Sequence, residues 1–148
     1  MAVAFPERAC APLSASPTRP CVIVTRPQPQ ASQWVERLQA LGLQARALPL
    51  LSIAEAPQPE EVERAWRALH RQALVMFVSP NAVERFFALK PPGQPPWPAA
   101  TWAGSTGPGT EAALLGHGVP PEAVVTPPAQ AGQFDAEALW RELQPRRD

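Results

Sequence analysis

The chain has 148 residues, enough for about one ordinary domain with a sizeable core, and its 13 basic residues balance its 13 acidic ones. The zero net charge gives no general attraction to nucleic acid, no apolar run approaches the roughly 18 residues of a membrane-spanning helix, and two cysteines do not make a disulfide framework. We therefore expect a soluble, cytoplasmic chain that binds neither nucleic acid nor membranes. We also expect a monomer, although composition does not determine the oligomeric state.

The first third of the chain predicts a tail followed by a strand–helix–strand motif. Residues 1–20 mix Ala, Ser and Pro without a sustained period, so we expect a flexible tail there. The β-branched run at 21–25 is typical of a strand buried on both faces, with Cys21 as inert packing. Apolar residues then recur at helical spacing up to Gly42, and the pattern at 44–53 predicts a second strand.

The rest of the chain alternates helices with strands. The predicted strands span residues 73–78, 101–106 and 123–126, and the predicted helices begin near Pro57, Ser79, Gly107 and Asp135. The run at 73–78 is the clearest buried strand, and Trp34, Trp66 and Trp140 fall on helical apolar stripes, so we expect all three in the core. Strands that alternate with helices predict an α/β fold with parallel sheets and helices on both faces.

Candidate binding residues lie where predicted strands end, because ligands of open parallel sheets bind at the carboxyl ends of the strands. Four such ends place a small or hydroxyl-bearing residue beside a proline, at 25–27, 79–81, 107–110 and 126–127. Free N–H groups at a helix start attract anions, but each contact contributes only about 0.3–1 kcal/mol, so several must converge. Ser79 and Asn81 are equally typical of ordinary helix caps, and Gly107 of an ordinary turn, so both interpretations stay open at this point.

Several chemistries are excluded by what the sequence lacks. The glycine-rich segment 104–110 has no lysine where a Walker phosphate loop needs one, and no G-x-S-x-G elbow is present. His70 and His117 have no cysteine or carboxylate at ligand spacing, so we expect no metal. The residues alone therefore indicate an α/β domain that binds a ligand, with no evident acid, base or nucleophile.

Six segments occur in a characteristic order along the chain. They are VIVTRP at 22–27, LG at 41–42, ALPLLSI at 47–53, FVSPNAVERFF at 77–87, GPGTEAALLGHGV at 107–119 and QFDAEALW at 133–140. Together they resemble the uroporphyrinogen-III synthase family, which implies two flavodoxin-like α/β domains joined by two extended strands, with the substrate in the cleft between them. On that template residues 21–52 belong to the first domain, 50–56 form the first crossover, and 53–148 form the second domain.

The resemblance also implies a reaction. The family closes hydroxymethylbilane, a linear tetrapyrrole with eight carboxylates, to uroporphyrinogen III, with loss of water and inversion of the last pyrrole ring through a spiro intermediate. This hydro-lyase step of porphyrin and haem biosynthesis needs no cofactor or metal, so it rests on positioning and on dipoles aimed at charge. Carried over residue by residue, the resemblance assigns carboxylate binding to Arg26, Ser79, Asn81, Gly107 and Thr110, by the side chain of Arg26 and mainly by backbone N–H groups elsewhere.

The chain also departs from the family. Family members are longer, so we expect an incomplete form whose second domain lacks its C-terminal part and which has little activity by itself. The family's tyrosine, often proposed to assist departure of the hydroxyl, has no counterpart because the chain contains no tyrosine, so no catalytic residue is assigned. The alternatives are a non-catalytic α/β domain that binds a phosphorylated small molecule at 107–110 and a chain that does not fold stably.

Overall fold

The computed structural model describes residues 20–146, so the predicted tail at residues 1–20 lies, except for Pro20, outside the described residues. The chain divides into an N-terminal unit that ends at Ile53 and a C-terminal unit that begins at Ala54. Within the described range, no helix has both the length and the apolar character that crossing a membrane requires.

The N-terminal unit is a strand–helix–strand motif. Its strands β1 (Cys21–Val24) and β2 (Gln44–Ala47) pair in parallel, and helix α1 (Gln30–Ala40) connects them. Gly42 follows the helix with φ of +78°, a left-handed conformation that glycine adopts without steric cost. This turn brings the chain back into β2 beside β1.

The predicted burial of the first strand on both faces is wrong. Cys21, Val22 and Ile23 are exposed, and only Val24 of β1 is buried. The strand has one neighbouring strand and one connecting helix, so most of its surface has no covering layer. Cys21 is therefore an exposed free thiol and not inert packing.

Two further predictions for this unit are also wrong. The second strand ends at Ala47 and does not continue through Ile53, because its partner strand β1 ends at Val24 and leaves no strand among residues 20–146 for the later residues to pair with. Residues 50–56 carry no regular secondary structure. Trp34 is 43% exposed and does not belong to a core.

The small core of the N-terminal unit leads to a prediction about its local stability. Its buried side chains among the described residues are Val24, Ala31 and Ala45, which bury little apolar surface. We expect amides of β1, β2 and α1 to exchange with deuterium faster than those in the C-terminal sheet, because local opening costs less where few apolar contacts break. Hydrogen exchange followed residue by residue checks this, and equal protection of the two units would contradict it.

The C-terminal unit contains a three-stranded parallel sheet flanked by helices. Its strands, in sheet order, are β3 (Leu74–Phe77), β4 (Trp102–Ser105) and β5 (Val124–Val125). Its α-helices are α2 (Pro59–Arg67), α3 (Pro80–Ala88), α4 (Pro108–Gly116) and α5 (Ala136–Leu143), and short 3-10 helices span Leu69–Arg71, Pro121–Ala123, Ala129–Ala131 and Gln144–Arg146. The predicted flavodoxin-like α/β class with parallel sheets and flanking helices is confirmed.

Alternate residues of these strands contribute to two cores, one on each face of the sheet. On one face, Phe77 and Ala103 pack with buried side chains of α2, α3 and α4. On the other face, Val125 packs with Leu139 and Leu143 of α5. The helices are therefore distributed over both faces, as the alternating pattern predicts.

An aromatic cluster forms the centre of the larger core. The ring of Trp66 is 1% exposed, stacks on Phe86 with centroids 4.5 Å apart, and meets Phe87 and Trp97 edge-on. Its Nε1–H donates a hydrogen bond of 2.8 Å to the Phe86 carbonyl, so the polar edge of the indole is also satisfied. The predicted core position of Trp66 is confirmed.

Two other burial predictions in this unit are wrong. Trp140 is 47% exposed, although it lies on the same helix as the buried Leu139. Met76 and Val78 are exposed, so the segment 73–78 is not fully buried. The strand β3 lies at the edge of the sheet and has a neighbouring strand on one side only.

Candidate functional site

The carboxyl ends of β3, β4 and β5 lie side by side at one edge of the C-terminal sheet. Phe77 at the end of β3 is opposite Ser105 at the end of β4, and Gly104 is opposite Val125 at the end of β5. The sheet therefore brings together the segments that follow these strands, including three of the four strand ends that the sequence singles out. This edge is where open parallel sheets bind ligands.

Ser79 is the N-cap of α3. Its Oγ accepts a hydrogen bond of 3.2 Å from the Ala82 N–H, and Pro80 occupies the first helical position. Asn81 follows in the first turn of the helix. The capping interpretation of Ser79 is thus correct, and it leaves the dipole of α3 directed at the same edge of the sheet.

Gly107 precedes α4 and is fixed by the hydroxyl of Ser105. The Gly107 N–H donates to Ser105 Oγ at 3.2 Å, and the Ser105 hydroxyl donates to the Gly107 carbonyl at 2.8 Å. The amide of Gly107 is therefore already hydrogen-bonded. Gly109 is exposed in the first turn of α4, and its N–H has no acceptor among residues 20–146.

The starts of α3 and α4 approach each other closely. A Cβ placed on Gly109 would lie 3.6 Å from Pro80 Cγ, so the first turns of the two helices are in contact. Thr110, in the same turn as Gly109, is 4% exposed. The structure thus brings together Ser79, Asn81, Gly107 and Thr110 at one edge of the C-terminal unit.

Thr126 is a further residue at this edge, directly after β5. Its Oγ1 is buried and has no hydrogen-bond partner among the residues that the structure describes. An unpaired buried hydroxyl costs about 1–3 kcal/mol of desolvation. The sequence singles out the strand end at 126–127, but it gives no sign that this hydroxyl lacks a partner.

The buried hydroxyls of Thr126 and Ser105 are expected to respond oppositely to removal. Thr126→Val replaces an unpaired hydroxyl with a methyl group of similar size and should raise the free energy of unfolding by about 1 kcal/mol. Ser105→Ala removes a hydroxyl that makes two hydrogen bonds to Gly107 and should lower it by a similar amount. Urea denaturation of both variants measures the effects, and a destabilised Thr126→Val would contradict the first.

Arg26 belongs to the N-terminal unit, where it follows β1. The side chain is exposed, and its Nη1–H donates a hydrogen bond of 3.4 Å to Gln30 Oε1 in the first turn of α1. A guanidinium held in this way keeps further N–H donors for a carboxylate.

The ionisable side chains at the starts of α4 and α5 are carboxylates, with Glu111 in the first turn of α4 and Glu137 in the first turn of α5. Asp135 caps α5 by accepting a hydrogen bond of 2.8 Å from the Ala138 N–H, so its carboxylate already occupies the start of that helix. His117 Nε2 lies 3.0 Å from Glu84 Oε2, a pairing across 33 residues that sequence spacing does not reveal. In the part of the chain that the structure describes, no three His, Cys, Asp or Glu side chains are grouped to hold a metal ion.

Phe134 is a residue at this edge that sequence reasoning missed. Its side chain packs on Gly107, where a Cβ would lie 3.3 Å from Phe134 Cβ. Gly107 has an extended backbone with φ of 173° that any residue adopts, so a side chain at this position would be opposed by the close contact with Phe134 and not by backbone conformation. The available sequence signal was an aromatic residue directly before the cap residue Asp135.

Comparison with known proteins gives one family. A search of curated proteins finds no significant match. The family model described as uroporphyrinogen-III synthase HemD matches residues 32–148, more than three quarters of the chain, and this range includes the two adjacent helix starts and Phe134. The chain belongs to the uroporphyrinogen-III synthase HemD family.

Proposed function

We propose that the chain acts in the cyclisation of hydroxymethylbilane to uroporphyrinogen III, as a lyase of the uroporphyrinogen-III synthase type. The family membership supports this activity at the level of the family. The observation that carries the proposal for this chain is the contact between the starts of α3 and α4, at the carboxyl edge of a parallel sheet. Two adjacent helix dipoles of the same polarity form a binding surface for a molecule with several carboxylates.

The groups at this edge suit carboxylates better than they suit general acid–base chemistry. The Gly109 N–H donates directly to the substrate, while Ser79 and Gly107 fix the geometry of the two first turns. Thr126, directly after β5, adds a buried hydroxyl without a partner among the described residues, which we propose as a further donor to the substrate at this edge. A single contact of this kind contributes about 0.3–1 kcal/mol, so an eight-carboxylate substrate gains affinity from many of them together.

The reaction itself places modest demands on the protein. The substrate loses its hydroxyl readily, so the protein's role is to hold the last pyrrole ring while it inverts and closes. Donors arranged before the reaction stabilise charge as it develops, without a catalytic triad or a metal. Arg26 of the N-terminal unit is proposed to bind a further carboxylate through its guanidinium.

Binding is the direct test of the proposal, because the proposed groups act by holding the carboxylates of the substrate. Anaerobic calorimetry with uroporphyrinogen III should show saturable binding that weakens as salt is raised. With hydroxymethylbilane, the chain should raise the share of the type III isomer above that of the protein-free reaction. The absence of saturable binding to uroporphyrinogen III would overturn the proposal.

Competition separates this proposal from binding of a phosphorylated small molecule. Nucleotides and sugar phosphates are expected to compete weakly, because the segment 104–110 lacks the lysine of a phosphate loop. A nucleotide or sugar phosphate that raises the melting temperature more than uroporphyrinogen III does would favour the alternative.

A further inference from the structure

Phe134 combines exposure with a fixed position at the candidate site. Its side chain is 47% exposed, yet it lies against the backbone at the start of α4. An aromatic side chain leaves a large apolar surface in water only at a cost, so a half-exposed ring at a binding edge is a candidate contact surface. Trp140 is equally exposed in the same unit and provides a comparison.

The position of Phe134 is set by its neighbours on both sides. Gly107 leaves room for the ring because it has no side chain, and Asp135, the next residue, is held as the cap of α5. The preceding turn ends at Gly132, whose φ of +69° lies in the left-handed region that glycine tolerates. These constraints hold an apolar ring beside the start of α4. The N-cap residues of α3 and α4 are the uncharged Ser79 and Gly107, whereas α5 is capped by the carboxylate of Asp135.

We infer that Phe134 is a specificity-determining residue whose exposed ring packs against a pyrrole ring of the substrate, while substrate carboxylates meet the helix starts. This inference rests on the proposed function and adds a second kind of contact to it. Amide donors alone accept any polycarboxylate of suitable size. An apolar ring beside them favours a polycarboxylate that also carries flat aromatic rings, as a tetrapyrrole does.

Two probes distinguish these contacts. Uroporphyrinogen III carries carboxylates and pyrrole rings, whereas butane-1,2,3,4-tetracarboxylate carries carboxylates alone. For Phe134→Ala we expect about a tenfold weaker affinity for uroporphyrinogen III and an unchanged affinity for the tetracarboxylate, followed by the amide shift of Gly109 in NMR titrations. Phe134→Leu keeps an apolar contact without the ring. Its affinity for uroporphyrinogen III should lie between the affinities of Phe134→Ala and the unmodified chain.

The control is Trp140→Ala, which removes an equally exposed aromatic ring from α5. Trp140 borders a cavity lined by Ala73 and Ala100, which precede β3 and β4, so it lies toward the opposite edge of the sheet. This variant should bind both probes as the unmodified chain does.

Three results would overturn the inference. If Phe134→Ala binds uroporphyrinogen III with normal affinity, the ring does not contact the substrate. If the affinities for both probes fall equally, Phe134 supports the start of α4 and does not contact the pyrrole ring. If the unmodified chain binds neither probe, the proposed function fails and this inference fails with it. If Phe134→Ala shows no cooperative melt, Phe134→Leu decides by the same criteria.

Discussion

Replacing Trp66 with alanine is expected to lower the free energy of unfolding of the C-terminal unit by about 3–5 kcal/mol. The indole is 1% exposed and lies among Phe86, Phe87 and Trp97, so its removal leaves a cavity that these rings cannot fill without moving. The change also removes one of two donors to the Phe86 carbonyl, which keeps the hydrogen bond from the Leu89 N–H. Since small domains are stable by only about 5–15 kcal/mol, this change removes a large fraction of the total stability.

Two matched variants identify the cause of that loss. Trp140→Ala removes the same side chain from a position that is 47% exposed and should cost less than about 1 kcal/mol. Trp66→Phe keeps an aromatic ring and loses the Nε1 hydrogen bond, so it should give an intermediate value. Urea denaturation followed by circular dichroism measures all three. Equal losses for Trp66→Ala and Trp140→Ala would show that the aromatic cluster does not carry the stability of this unit.

The alternation of strands and helices was predictable from local pattern, whereas the extent of burial was not. A short β-branched run such as 21–25 has the same composition in a central strand and in an exposed one. Which of these it becomes depends on how many strands and helices cover it, and β1 has one strand neighbour. The same reason explains Trp34 and Trp140, whose helical spacing is correct but whose faces are not covered.

The candidate site was predictable where it depends on strand ends and not where it depends on long-range contacts. Ser79 and Gly107 follow from the rule that ligands bind at the carboxyl ends of parallel strands. The adjacency of their helices depends on the pairing of β3 with β4, which sequence periodicity does not determine. The contact between Gly107 and Phe134 joins segments 27 residues apart, and the lack of a partner for Thr126 Oγ1 among residues 20–146 depends on tertiary packing that local sequence does not encode.

Asn81→Asp is expected to separate the stability of α3 from its binding function. The change adds one negative charge in the first turn of the helix with almost no change of shape. The helix dipole favours that charge by about 0.3–1 kcal/mol, so the free energy of unfolding should change less than the free energy of binding does. If substrate carboxylates bind at this helix start, the new carboxylate repels them, and the affinity for uroporphyrinogen III should fall about tenfold at low salt.

The control for this charge is Gln144→Glu, the same change from amide to carboxylate at an exposed residue beyond the end of α5. It changes the net charge by the same amount. Gln144 follows the C-terminal end of α5, whereas the N-terminal end of α5 lies near Gly107, so the affinity for uroporphyrinogen III should not change. Raising the salt concentration should reduce the difference in affinity for uroporphyrinogen III between Asn81→Asp and the unmodified chain, because salt screens charge repulsion. If Asn81→Asp is as stable as the unmodified chain and binds uroporphyrinogen III equally well, the start of α3 does not belong to the binding site. A loss of stability that parallels the loss of binding would instead point to a structural role for Asn81.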